Sequence, residues 1–185
     1  FTRPTLRKVC ENAKVIISPS KYLAKLIKDN IGKYKTKVIP NGVYPDKFQP
    51  KIKRKTILST GRLLPRKGFQ YLIQAVSNKD YSYELHIAGD GPMMQELKDL
   101  AKKSKTKIVF HGWMNNNSKE YKKLLESSSI YVLASEKENA SIALLEAMSA
   151  GCAVITSNIS GCPETVDNSG LIVRNYVRYK IHTRQ

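Results

Sequence analysis

The stretch Thr56-Ile57-Leu58-Ser59-Thr60-Gly61-Arg62-Leu63-Leu64-Pro65-Arg66-Lys67-Gly68 decides the architecture. A short β-branched and apolar run meets a glycine, cations follow, and an amphipathic segment begins. The same unit recurs downstream. Runs at 83–88, 107–110, 130–134, 153–156 and 171–173 alternate with helical patterns near 67–77, 92–103, 117–128 and 141–150. Pro163 suits the first position of one further short helix. Strands alternating with helices predict an α/β fold, a doubly wound parallel sheet covered on both faces. If the strands take the order 3-2-1-4-5-6, the topological switch lies between the first and the fourth, and ligands bind there beyond the strands' carboxyl ends. The first strand ends at Gly61-Arg62 and the fourth at Ser135, just before Glu138. The topology therefore brings two loops to one crevice.

The second of these loops reads Glu138-Asn139-Ala140-Ser141-Ile142-Ala143-Leu144-Leu145-Glu146. It places one carboxylate before a helix and another about two turns down it. Ser141 is the expected N-cap, and the first-turn N–H groups have no intrahelical partner. Such a helix end suits a phosphate, while carboxylates on either side accept hydrogen bonds from sugar hydroxyls. A nucleotide-sugar has that shape. Two glutamates eight apart are common by chance, so the pattern gains its weight from the crevice.

In the first loop, Gly61 permits a tight turn, and Arg62 and Lys67 offer cations to a diphosphate. Each charge-assisted hydrogen bond contributes roughly 1.5–3 kcal/mol. The spacing is not that of a Walker P-loop. Gly89-Asp90-Gly91-Pro92 lacks the third glycine of a dinucleotide fingerprint and reads as a sharp turn with Pro92 opening a helix. A base or ribose fits against His111-Gly112-Trp113, although His111 reads equally well as a rim residue without a role. Gly161, in Ser160-Gly161-Cys162-Pro163-Glu164, is placed to approach a ligand. No Asp-x-Asp, Gly-x-Ser-x-Gly or His/Cys cluster occurs, so neither a metal nor a cofactor is expected.

The 185 residues suffice for one full core. No apolar run approaches the roughly 18 residues that span a bilayer. The N-terminal Phe1-Thr2-Arg3-Pro4 does not resemble a signal peptide and lacks Met, which reads as an excised piece of something longer. Three cysteines without metal-ligand spacing fit a reduced, cytoplasmic setting. The net charge of +17 is uneven, with 15 Lys/Arg against 3 Asp/Glu in residues 1–56 and 17 against 12 thereafter. A basic first third favours anionic partners, an acidic membrane surface before nucleic acid, because no nucleic-acid motif accompanies the charge. Before residue 45, Val15–Ser20 reads as a buried strand leading to a helix capped by Ser20, and Lys37–Val43 as a short strand entering a turn. Residues 1–45 are expected to be the tail of a preceding domain plus a hinge, 46–173 the main domain, and 174–185 an irregular tail.

Taken together, these blocks closely resemble the C-terminal, donor-binding domain of glycosyltransferase family 4, the group 1 glycosyltransferases, one Rossmann-like half of a GT-B fold. They are Ile39-Pro40-Asn41-Gly42-Val43, Gly61-Arg62-Leu63, Lys67-Gly68, Gly89-Asp90-Gly91-Pro92, the Glu138–Glu146 pair and Gly161-Cys162-Pro163-Glu164. The resemblance implies a retaining, metal-independent transfer from a UDP-, GDP- or ADP-linked sugar to a saccharide or lipid-linked acceptor. The products would belong to polysaccharide, lipopolysaccharide or glycolipid synthesis, with the enzyme cytoplasmic and peripheral on the membrane. Arg62 and Lys67 would hold the diphosphate, Glu138 the sugar hydroxyls and Glu146 the ribose. The N–H groups of Ser141, Ile142 and Ala143 would cap the distal phosphate. Two departures stand out: Ala140-Ser141 replaces the Phe-Gly pair of many members, and the long helix after the last strand is not evident. The implied acceptor domain is represented only by its end, so residues 1–185 alone are expected to turn over weakly. A nucleotide-sugar epimerase of the same fold is disfavoured by the glutamate pair and the Arg/Lys block. A noncatalytic basic module binding membrane or nucleic acid is the remaining alternative.

Overall fold

The computed structural model describes residues 3–174. In chain order, α1 (Arg3–Glu11), β1 (Ile16–Ser18), α2 (Lys21–Asn30) and β2 (Thr36–Val38) form a first unit. Its two strands pair in parallel, Ile16 opposite Thr36 and Ser18 opposite Val38. Ser20 caps α2, its hydroxyl accepting the Leu23 N–H at 3.1 Å. The expectation of a buried strand at Val15–Ser20 fails. Ser18 is buried, but Ile17 is 62% exposed and Val15 and Ile39 are exposed too. Among the described residues β1 pairs only with β2, and neither α1 nor α2 buries any residue of its own.

A linker containing the 3-10 turn Pro45–Lys47 leads into the main sheet. The elements follow as β3 (Arg54–Thr60), the 3-10 turn Pro65–Lys67, α3 (Phe69–Ser77), β4 (Glu84–Ala88), α4 (Met94–Ala101), β5 (Ile108–Gly112), α5 (Lys119–Ser127), β6 (Ser128–Leu133), α6 (Ile142–Ser149), β7 (Ala153–Ser157), α7 (Cys162–Val166) and β8 (Gly170–Val173). All six strands from β3 onward are parallel, in the order β5-β4-β3-β6-β7-β8. Counted from β3, that is the order 3-2-1-4-5-6 read from the sequence, with the switch between β3 and β6.

Each face of the sheet has its own core. On one, Leu63, Phe69, Leu72, Ile73, Leu85, Ile87 and Leu97 pack together. On the other, Phe48, Leu58, Tyr121, Leu125, Tyr131, Leu144 and Val166 do so. Each such side chain stabilises the fold by roughly 1.5–3 kcal/mol, and covering both faces explains why the strands read as near-continuous apolar runs. Two boundaries differ from the sequence reading. Helix α4 begins at Met94, not Pro92, because Gly91 is drawn against the loop after β3 and the chain turns through Pro92-Met93 first. Strand β5 runs on to Gly112, so His111 closes the strand instead of following it. The final part of the tail, 175–185, lies outside the described residues.

Candidate donor-binding site

The crevice at the switch point is a cleft of about 620 Å³, within the range of small-molecule sites. Its floor is the end of β3, where the Thr60 hydroxyl shares a 2.8 Å hydrogen bond with the Tyr131 phenol of β6. One wall is the loop after β3, with Gly61, Arg62 and Lys67; the opposite wall is Glu138, Ala140, Ser141, Ile142, Ala143 and Glu146. Ala88, Gly89 and Asp90 add the loop after β4, and Trp113, 74% exposed, stands at the rim with Met114.

Backbone contacts hold these loops in place, and glycines make them. The Leu63 N–H bonds the Asp90 carbonyl at 2.8 Å and the Gly61 N–H bonds that of Ala88 at 3.0 Å. Gly89, at φ +153, lies so close to Gly61 that a Cβ would sit 1.8 Å from its carbonyl oxygen. Gly68, at φ +73, passes Ala134 equally tightly, while the Glu136 N–H bonds the Arg66 carbonyl at 2.8 Å and ties the two walls together. Gly161, expected to approach a ligand, instead backs the Glu138 loop. Its N–H donates to the Glu138 carbonyl at 3.0 Å, and a Cβ would meet the Asn139 oxygen at 1.5 Å. The loop also receives the Asn41 side-chain amide on the Ala140 carbonyl, 3.1 Å away.

Charge crosses the cleft in one place. Lys67 Nζ lies 2.5 Å from Glu138 Oε2, both side chains about one-fifth exposed. Arg62 is exposed, and its side chain makes no hydrogen bond or ion pair among the described residues. Ser141 caps α6, its hydroxyl accepting the Leu144 N–H at 3.4 Å. That leaves the first-turn N–H groups of Ile142 and Ala143, both in the cleft lining, without intrahelical acceptors. A diphosphate here would meet two cations and a helix N-terminus together.

Glu146 is 2% exposed. One carboxylate oxygen is 2.5 Å from Lys47 Nζ, and the other accepts the Tyr121 hydroxyl at 3.0 Å. Burial first, then the neighbouring Tyr131 and the negative charge of Glu146, push the Tyr121 phenol well above its ordinary pKa; burial does the same to Tyr131. Both therefore stay protonated and can donate. Neither Lys47 nor Tyr121 was singled out from the sequence, for Lys47 lies 99 residues from its partner and no local pattern joins them.

His111, like Gly161, does not line the cleft. It hydrogen-bonds His86 at 2.9 Å, and His86 in turn reaches Glu84 at 3.0 Å. Partial burial and the neighbouring His86 lower its pKa. Among the described residues no group of three or more His, Cys, Asp or Glu is placed to hold a metal ion. No helix among them is long and apolar enough to cross a membrane.

Comparison with known proteins identifies the family and the fold. The family model described as glycosyl transferases group 1 matches residues 43–179. An uncharacterised glycosyltransferase of Methanocaldococcus jannaschii is 36% identical over 152 residues, 71% of this chain and 38% of that protein. The UDP-Gal:alpha-D-GlcNAc-diphosphoundecaprenol alpha-1,3-galactosyltransferase of Escherichia coli is 34% identical over 149 residues, covering 69% of this chain and 38% of its own length. The chain thus spans under two-fifths of these relatives. Among solved structures, sucrose-phosphate synthase from Thermosynechococcus elongatus superposes with a TM-score of 0.82 at 20% identity, over 95% of this chain and 49% of the other. Anabaena HepE in complex with UDP and glucose gives 0.79 at 19%, over 94% and 54%. These neighbours carry the GT-B fold. With a family model covering most of its length, the chain belongs to the group 1 glycosyltransferases.

Proposed function

We propose that the cleft between β3 and β6 binds a nucleotide-sugar and that the protein transfers its sugar, with retention and without a metal, to a saccharide or lipid-linked acceptor. The observation that carries this reading is the meeting of Arg62, Lys67, Glu138, the α6 N-terminus and Glu146 in one cleft. Arg62, Lys67 and the Ile142 and Ala143 N–H groups take the diphosphate, Glu138 the sugar hydroxyls and Glu146 the ribose. In transfer, the anomeric carbon's bond to the diphosphate oxygen breaks. The acceptor oxygen attacks from the same face, and its proton passes to the departing phosphate. The cations stabilise the charge that develops on the leaving group, so catalysis is positioning and electrostatics without a covalent nucleophile.

A relative named for UDP-Gal and a fold neighbour solved with UDP make UDP-linked sugars the first donors to test, before GDP- and ADP-linked ones. Residues 1–45 act as the end of an acceptor-binding domain and a hinge, and residues 1–185 alone bind nucleotide but turn over weakly. The basic first third suits an enzyme peripheral on the cytoplasmic face of an anionic membrane. Calorimetric titration with UDP, GDP and ADP in excess EDTA tests the site. Saturable binding of one nucleotide, weakened at least tenfold in Lys67→Met, is expected. Binding that appears only with Mg²⁺ or Mn²⁺ would contradict the metal-free reading.

A further inference from the structure

The geometry points to Lys47 and Tyr121 as positioning residues that hold the Glu146 carboxylate as a receptor for a vicinal diol, so that the site discriminates ribonucleotides from their deoxy counterparts. This rests on the donor-site reading of the cleft.

A carboxylate at the end of a glutamate side chain has three rotatable bonds, and one buried without a cation is costly. Here both costs are met from outside α6. Lys47 Nζ approaches one oxygen at 2.5 Å, and the Tyr121 hydroxyl donates to the other at 3.0 Å. Each oxygen can accept about two hydrogen bonds, so each keeps capacity for one more. Glu146 and Tyr121 both line the cleft, whereas Lys47 stands behind them. The two remaining acceptor positions are thus held side by side at fixed spacing, as the adjacent hydroxyls of a ribose require.

Neither support is loose. The next residue, Phe48, is 3% exposed in the core, and its ring lies 5.2 Å from the lysine nitrogen. The Gln49 N–H donates to Glu126 at 3.0 Å, and Lys51 pairs with the other Glu126 oxygen at 2.8 Å. Lys53 adds bonds to the Glu126 and Ala150 carbonyls. Lys47 is therefore presented by a segment pinned, on its C-terminal side, to the core, to α5 and to the end of α6. Tyr121 is 3% exposed near the start of α5, whose N-cap Ser118 accepts the Tyr121 N–H at 3.1 Å. The cleft's ribose end is set by a residue of the linker between the two units.

The test is the affinity of UDP, GDP and ADP, each beside its 2′-deoxy and 2′,3′-dideoxy counterparts, for the wild type, Lys47→Met, Tyr121→Phe and Glu146→Gln. Circular dichroism of each variant establishes that it is folded. The wild type is expected to prefer the ribonucleotide about tenfold or more. Lys47→Met and Tyr121→Phe each lose most of that preference, with the dideoxy affinity little changed. Equal weakening of ribo- and dideoxynucleotides, leaving their ratio at the wild-type value, would show merely structural residues and overturn the inference. A wild type that binds a nucleotide without ribose preference would overturn it too, while leaving the diphosphate site standing. A wild type that binds none of the nucleotides would remove the donor-site reading itself, and this inference with it.

Discussion

At the scale of single residues, the cleft holds two groups that substrate would separate. Lys67 and Glu138 pair across it at 2.5 Å, yet the proposed roles send one to the diphosphate and the other to the sugar. A nucleoside diphosphate must draw Lys67 away and leave Glu138 without its cation, whereas a nucleotide-sugar satisfies both. Exposed ion pairs are worth about 0.2–1 kcal/mol, and this one, about one-fifth exposed, belongs at the upper end. Glu138→Gln is therefore expected to bind UDP up to about fivefold more tightly while binding the UDP-sugar more weakly; parallel titrations read the crossover, and weakening of both would remove the competition. His111 gives a second prediction. Its lowered pKa, set by partial burial and then by His86, means that the unfolded chain protonates first as pH falls below about 6.5. That contribution to stability is whole above this pH and is lost as pH falls to the folded value. Urea midpoints at pH 7.5 and 5.5 should differ less in His111→Gln than in the wild type. Residues of this scale were unevenly legible. Arg62, Lys67, Glu138 and Glu146 announce themselves by spacing around predicted elements, but Lys47 and Tyr121 matter only through contacts made by the folded chain.

At the scale of elements, the strand-helix alternation reveals the sheet because each strand is buried on both faces and each helix on one. Capping chemistry was equally readable, since Ser20 and Ser141 each accept a first-turn N–H where the sequence placed them. The glycines were less so. Gly161 looked available to a ligand, but its missing Cβ makes room for the Asn139 carbonyl. A sequence records only that a glycine is present, not which backbone needs the space. The helix α1 and the exposure of β1 were likewise hidden, since a three-residue strand has too short a period to declare its partners. Two substitutions separate cap from brace. Ser141→Ala removes the α6 cap and should lower stability by about 1 kcal/mol. Gly161→Ala should cost more and shift the Glu138 loop, seen as faster exchange of the position-161 amide and weaker UDP-sugar binding. Equal effects from the two would refute the bracing role.

At the scale of the whole molecule, two units share one linker, and the loop that carries Glu138 touches both. Asn41 reaches the Ala140 carbonyl, and Glu164 of α7 accepts the Lys21 and Tyr22 N–H groups at 2.7 and 2.6 Å, extending the capping of α2. The charge is as divided as the fold, with most of the positive excess before residue 57. Peripheral membrane contact then predicts cosedimentation with vesicles rich in phosphatidylglycerol, released between 0.05 and 0.5 M salt, roughly as the Debye length contracts. Binding equal on neutral vesicles would contradict it. The donor site predicts something the charge cannot mimic, because polyanion binding needs neither glutamate. The most direct measurement is the thermal shift of this chain with UDP and a UDP-sugar, then the GDP and ADP pairs, in the wild type, Arg62→Ala/Lys67→Ala and Glu146→Gln. Ligand at a hundred times its dissociation constant adds about 2.7 kcal/mol to the folded state. The account predicts a rise with one nucleotide and its sugar conjugate that is lost in the cation double variant and reduced in Glu146→Gln. A rise that persists unchanged in all the variants, or no rise with any nucleotide, would contradict it.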